Sequence, residues 1–304
     1  MRTKLITLAA TLLCAGAIVP AAHADGGPSP GVSFDARGIS NRAGPLTYVS
    51  EAAGNLSNLL VRDRSERIVK TRTFDGLYGI PLVTYGGARG GLSRDGRTLV
   101  VARASLGGGL AITSRLLVVD TSTLRTRQTI DLAGDFSFDA LSPDARTLYL
   151  IQHTSARDYE RYRVRAYDLA HRRLLPNAIV DRSEPNMRGF PTYRLVGPGG
   201  RWVYTFYLHH GGEPFVHALD TVHAQARCLD VDWHGSDKVL WSARLELTNG
   251  RLAVVSKNGK HIAELELEPA KTSGLAAGWI GAIAAAVLAG STLVVWGRRR
   301  RARA

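Results

Sequence analysis

Between residues 41 and 267 the chain alternates short apolar runs with clusters of turn residues. "LSRDGRTLVVA" (92–102), "LSPDARTLYLI" (141–151), "VGPGGRWVYTF" (196–206) and "LTNGRLAVVSK" (247–257) share one design. Each places a Gly, Pro or Asp turn and a basic residue before a β-branched or aromatic run, and such runs predict strands. The turn residues Gly96, Ala145, Gly200 and Gly250 lie 49, 55 and 50 positions apart, and a degenerate first copy, "NRAGPLTYVSE" (41–51), stands about one period earlier. A second element falls between these copies: "LLVRDRSERIV" (59–69), "LLVVDTSTLRT" (116–126), "VRAYDLAHRRL" (164–174) and "VHALDTVHAQA" (216–226). In each, a strand ends in an aspartate, a polar turn follows, and a new strand begins. Asp63, Asp120, Asp168 and Asp220 keep one register. An aspartate there accepts backbone N–H groups and closes the turn, so these four are expected to be structural. No convincing helical period interrupts the pattern. A sheet of this kind cannot cover both of its faces, so a period near 50 predicts four-stranded sheets stacked radially.

The repeats also carry a family resemblance. "SPDARTLYL" followed about twenty residues later by "VRAYDLAHRRLL", and "SRDGRTLVV" followed by "LLVVDTSTLRTRQTI", resemble YVTN-type β-propeller repeats, relatives of the WD-repeat propellers. The resemblance covers residues 41 to about 267. It implies an all-β fold, a β-propeller of about five four-stranded blades, with six as the alternative. The repeat lengths are irregular, the first unit lacks the Ser-Pro-Asp-Gly turn, and the last unit is shortened. Propellers host binding, scaffolding and catalysis alike, so the resemblance implies architecture rather than activity.

The two ends of the chain read as addresses. Residues 1–24 have the form of a signal peptide: Arg2 and Lys4, an apolar run over 5–19, and Ala22-His23-Ala24 before the cleavage point at Asp25. Cys14 lacks a lipoprotein context, since Thr11 and Leu13 occupy the preceding positions. Residues 25–40 are expected to form a linker, 41–267 the propeller ectodomain and 268–273 a polar stalk. The stretch 274–296 contains no charged residue. At about 1.5 Å per residue it is long enough for a transmembrane helix across a core of about 30 Å. A basic tail, 297–304, follows and is expected on the cytoplasmic face. Cleavage would leave Cys228 as the only cysteine, which excludes an internal disulfide and suggests a small buried apolar residue.

Charge changes one conclusion. The formal charge is +13, but Arg2, Lys4, Arg298, Arg299, Arg300, Arg301 and Arg303 lie in the two tails, and removing those seven leaves about +6 without a basic run. Nucleic acid is thereby excluded as an expected partner.

Candidate chemistry is sparse. "HHGGEPFVH" (209–217) spaces His209, Glu213 and His217 by four, as on one face of a metal-binding helix, but Gly211, Gly212 and Pro214 exclude a helix. A hairpin with its loop at about 211–214 and His210 opposite Phe215 is predicted instead. A wider loop would let the three candidates converge on a metal; otherwise the segment is a solvated tip. The long connections "TSARDYERYRVR" (154–165) and "VDRSEPNMRGFPTYR" (180–194) supply the ligand-loop candidates Tyr159, Tyr162, Arg188 and Tyr193. No Gly-x-Ser-x-Gly elbow occurs, acidic residues such as Asp135, Asp139 and Glu160 form no readable pair, and no cofactor is implied. The leading expectation is a membrane-tethered binding module for an envelope protein, peptide or glycan. The alternative is an extracellular hydrolase or lyase at the propeller channel. Carboxylates clustered at the channel would mark the enzyme, and an aromatic-lined face would mark the binder.

Overall fold

A computed structural model describes residues 29–267 except 42–43, 106, 108 and 183–186. The expected signal peptide, stalk, transmembrane helix and tail lie outside the described residues. Within them no helix is long and apolar enough to cross a membrane.

Among the described residues the turn-bounded runs form twenty strands. In chain order they are β1 (Val32–Ser33), β2 (Ile39–Ser40), β3 (Thr47–Ala53), β4 (Leu56–Arg62), β5 (Ile68–Asp75), β6 (Tyr78–Pro81), β7 (Thr98–Arg103), β8 (Thr113–Asp120), β9 (Thr126–Ala133) and β10 (Asp135–Leu141). There follow β11 (Thr147–His153), β12 (Tyr162–Asp168), β13 (Arg173–Ile179), β14 (Phe190–Val196), β15 (Trp202–Leu208), β16 (Phe215–Asp220), β17 (Gln225–Asp230), β18 (Arg244–Thr248), β19 (Arg251–Val255) and β20 (His261–Leu265). A single α-helical turn, α1 (Asp237–Leu240), interrupts the strands among the described residues.

These strands make five antiparallel sheets: β2-β3-β4-β5, β1-β6-β7-β8-β9, β10-β11-β12-β13, β14-β15-β16-β17 and β18-β19-β20. The last has three strands, in keeping with the shortened final unit. Each sheet is a meander apart from β1, which the chain lays beside β6 before it builds the first sheet, pairing Val32 with Pro81 and Ser33 with Ile80. Residues 32–40, expected as linker, therefore contribute β1 and β2.

The meander gives every sheet two unlike ends. First-to-second and third-to-fourth strand connections share one end, here the turn end. Second-to-third hairpins and sheet-to-sheet connections share the other, the loop end. At the turn end Gly96, Ala145, Gly200 and Gly250 all have left-handed backbone, with φ of 71°, 54°, 74° and 79°. The repeat spacing thus marks a repeated conformation, natural for glycine and strained for Ala145. Ser93 Oγ donates to Asp95 at 2.6 Å and Ser142 Oγ to Asp144 at 2.6 Å, and each serine oxygen accepts the N–H of the strand that follows. The four register aspartates close their turns as expected. Asp63 accepts the N–H groups of Ser65 and Arg67, Asp120 those of Ser122 and Thr123, Asp168 those of Ala170 and His171, and Asp220 those of Val222 and His223.

The core lies between successive sheets. Side chains alternate along each strand, so Leu99 and Val101 face the first sheet while Val100 faces the third, and Tyr149 faces the fourth while Leu148 and Leu150 face the second. Phe206 and Val216 of the fourth sheet meet Leu245, Leu252 and Val254 of the fifth. The middle sheets are covered on both faces, which explains their near-continuous apolar runs. The remaining buried apolar residues are Val49 and Leu60, paired on the far face of the first sheet, and Ala253 and Val255, on the far face of the fifth.

One excursion ties sheets that are not neighbours. Strand β6 ends at Pro81, and residues 82–90 leave the second sheet before Gly91 accepts the Val100 N–H at 2.8 Å. Within the excursion Tyr85 donates its N–H to the Pro191 carbonyl of β14, in the fourth sheet, at 2.8 Å. A Cβ at Gly86 would stand 2.5 Å from the Thr192 carbonyl oxygen, so the close approach requires glycine.

Candidate functional site

The loop ends of the third and fourth sheets interlock. The β11–β12 connection runs beside the start of β14: Arg161 bridges Arg188, Tyr162 donates its N–H to the Met187 carbonyl at 3.2 Å, and Gly189 donates to the Glu160 carbonyl at 3.0 Å. Arg188 Nη2 pairs with Asp158 Oδ2 at 2.8 Å. Glu160, only 7% exposed, points its carboxylate at the neighbouring hairpin. There it accepts the His210 N–H at 3.1 and 3.3 Å and stands 3.6 Å from His209 Nε2.

This packing leaves a cleft of about 240 Å3 between the β15–β16 hairpin and α1. Phe190, Leu208 and Pro214 form its apolar wall, Trp241 and Asp237 its opposite lip, and His209 part of its floor. Trp241 is 53% exposed, whereas the adjacent Leu240 is 1% exposed and anchors the helical turn in the core. The Tyr85 ring meets Phe190 edge-on at 5.7 Å.

The expected metal group does not assemble. β15 and β16 pair Tyr207 with Phe215, not His210 with Phe215, because Phe206, Tyr207, Leu208 and Phe215 all have core sites to fill. The loop is therefore 209–214, and His217 lies inside β16 opposite Thr205, 2% exposed. Desolvation lowers its pKa to about 4, and its Nε2 has no hydrogen-bond partner. His209 faces Glu160, and Glu213 is exposed in the loop. Among the described residues no group of three or more His, Cys, Asp or Glu side chains is placed to hold a metal ion.

The ligand-loop candidates divide. Tyr159 and Arg188 are at the loop end beside the cleft's supporting contacts. Tyr162 is a core residue at the start of β12, stacked on Tyr207 at 5.1 Å, and burial raises its hydroxyl pKa well above the usual value. Tyr193 lies on β14, half-buried against the core between the fourth and fifth sheets. Sequence reasoning passed over Phe190, Asp237 and Trp241. The available signal was "GSDKVLW", which breaks the strand pattern and ends on an indole with no place in a repeat.

The edge strands β10 and β14 hold a second polar group. Arg194 of β14 donates from Nη2 to Asp139 Oδ1 and from Nη1 to the Asp139 carbonyl on β10, and from Nε to Thr205 Oγ1 at 3.1 Å. Both charged side chains are below 10% exposed, at 8% and 2%. Asp135, also on β10, accepts the Ala111 N–H at 2.8 Å, and burial raises its pKa. Both buried carboxylates of β10 are thus engaged in structural contacts.

No family model matches the chain, and no curated protein matches it. Solved structures do. The Dos1 propeller is 13% identical, with 77% of this chain and 58% of that chain covered and a TM-score of 0.43. The β-propeller domain of Cps50 (Swd1) from Myceliophteria thermophila is 12% identical, with 76% and 64% covered and a TM-score of 0.40. The β-propeller domain of the Trilobed protease from Pyrococcus furiosus is 10% identical, with 75% and 64% covered and a TM-score of 0.42. The chain spans between about half and two thirds of the length of such structures.

Proposed function

We propose that this chain is a β-propeller binding module tethered at the outer face of the cell membrane, holding an envelope protein, peptide or glycan at its loop end. The observation that carries the reading is the cleft beside α1, where two aromatic side chains line a hollow supported by loops of two sheets. A rigid scaffold presenting variable loops is the usual arrangement for recognition. Closure of the five sheets into a ring is supported by the burial of Val49 and Leu60 on one terminal sheet and of Ala253 and Val255 on the other. The tether rests on the sequence: a signal peptide over 1–24, an uncharged stretch over 274–296, and arginines directly after it.

Two features favour binding over a hydrolase or lyase at the channel. The carboxylates of β10 are occupied by Arg194 and by the Ala111 amide, and the Tyr85 to Pro191 bond ties the 82–90 excursion to the edge strand β14 of the fourth sheet. Peptide and glycan arrays probed with the detergent-solubilised full chain test the proposal. One ligand class should be retained, and a Phe190→Ser/Trp241→Ala variant with unchanged melting temperature should lose at least tenfold in affinity. Equal retention by both proteins overturns the assignment of the cleft. External protease on intact cells tests the tether: cleavage should occur within 29–267 and not at Arg298–Arg301.

A further inference from the structure

We propose that the loop-end cleft is selective for an ammonium group on an apolar stem, as a lysine side chain of a partner peptide presents it. This rests on the binding reading above and specifies the ligand of the same cleft.

Size comes first. Sites that enclose a whole small molecule occupy about 300–1,000 Å3. A hollow of about 240 Å3 suits one side chain or head group, with the rest of the ligand outside. The lining comes second. Phe190, Leu208, Pro214 and Trp241 offer apolar surface to a methylene stem, and the two aromatic rings are of the kind that attracts a cation. An indole left 53% exposed beside a fully buried leucine is a surface without an internal partner of its own size.

Charge comes third. The chain has 39 lysines and arginines against 26 acidic residues, yet no lysine or arginine lines the cleft, and its one carboxylate is Asp237. Directly behind His209 and His210 lies Glu160, a buried carboxylate faced by a backbone amide and an imidazole, while Arg188 is held by Asp158. Two negative groups therefore act on the hollow, Asp237 from its exposed rim and Glu160 from behind the two histidines. An anionic ligand would meet both of them. A neutral apolar side chain would fill the wall but gain nothing from Asp237.

Calorimetric titration of the full chain in detergent with a short acetylated peptide carrying one lysine, and with the same peptide carrying norleucine or glutamate instead, tests the inference. The lysine peptide should bind at least tenfold more tightly than the norleucine peptide, and the glutamate peptide should not compete. Asp237→Asn, at an exposed position, should reduce the lysine preference several-fold, and Trp241→Leu should weaken the lysine peptide more than the norleucine peptide. Equal affinity for lysine and norleucine, an unchanged preference in Asp237→Asn, or no binding of any of the three overturns the proposal. If array binding still depends on Phe190 and Trp241 while lysine and norleucine peptides bind equally, the binding module stands and the ammonium selectivity falls. If array binding ignores Trp241, the module assignment falls first.

Discussion

The turn end and the loop end of the same sheets are built on opposite terms. At the turn end the serine and aspartate side chains hydrogen-bond to backbone, and the cost is conformational: the left-handed non-glycine residues Glu66, Leu124, Ala145, Arg172, Ala224 and Asn249 are all found there. At the loop end the cost is polar. Both ring nitrogens of His153 and the Trp233 Nε1 are buried without partners, and Trp241 is left in solvent. Sequence repeats where a conformation repeats, and the turn end is accordingly architecture. Recognition is expected where the repeat breaks, because only there are side chains released from closing a turn.

The largest break in this comparison should come from the support beneath both ends. Arg194→Met leaves Asp139 charged and buried, and should cost about 3–5 kcal/mol in denaturant unfolding, with most of it recovered in an Asp139→Leu/Arg194→Met double variant. Next is the turn end. Asp220→Ala removes the acceptor for two backbone amides and Arg201, and should cost about 1–3 kcal/mol without altering ligand affinity. Its carboxyl pKa is lowered to about 2 despite burial, by hydrogen bonds from Arg201 and His223. Because the folded value lies below the unfolded one, its stabilisation is complete above about pH 4 and lost as pH falls toward 2. Acid unfolding of Asp220→Asn should lack that component.

The loop end should respond in the other direction. His153→Phe removes two unpartnered buried nitrogens and should stabilise by about 1 kcal/mol. Burial lowers the His153 pKa from 6.5 to about 4, so the wild-type side chain contributes stability above pH 6.5 that is lost as pH falls to about 4; the variant should show a flatter profile across that window. Back at the turn end, Ala145→Gly relieves a left-handed alanine and should add about 0.5–1 kcal/mol, which thermal unfolding can resolve. The smallest stability change belongs to Trp241→Ala, within about 0.5 kcal/mol, although this substitution should remove binding. A large loss of stability there would make the indole a structural residue and erase the contrast between the ends.

Much of the turn end was legible in the chain. Gly96, Ala145, Gly200 and Gly250 announced a shared backbone state, and Asp63, Asp120, Asp168 and Asp220 announced a shared hydrogen-bond role, because both follow from local chemistry. The loop end was not legible for the same reason. Arg194 and Asp139 are 55 positions apart and meet only when sheets stack. His217 was grouped with His209 by spacing, whereas the length of β16 places it in the core. The return of β1 to the second sheet and the excursion at 82–90 left only one local sign, the glycines flanking Ala88 and Arg89, since both depend on contacts between distant segments.

The three-stranded fifth sheet has a mechanical consequence. Its outermost strand, β20, is held on one side by β19 alone, and it is the last strand before the chain continues past residue 267. Tension applied through that continuation would unzip β20 rung by rung, then β19 and β18, and reach α1 and the Trp241 lip before disturbing the other four sheets. Strand order alone thus ranks the fifth sheet and α1 as the first parts of the described fold to yield to tension applied at residue 267.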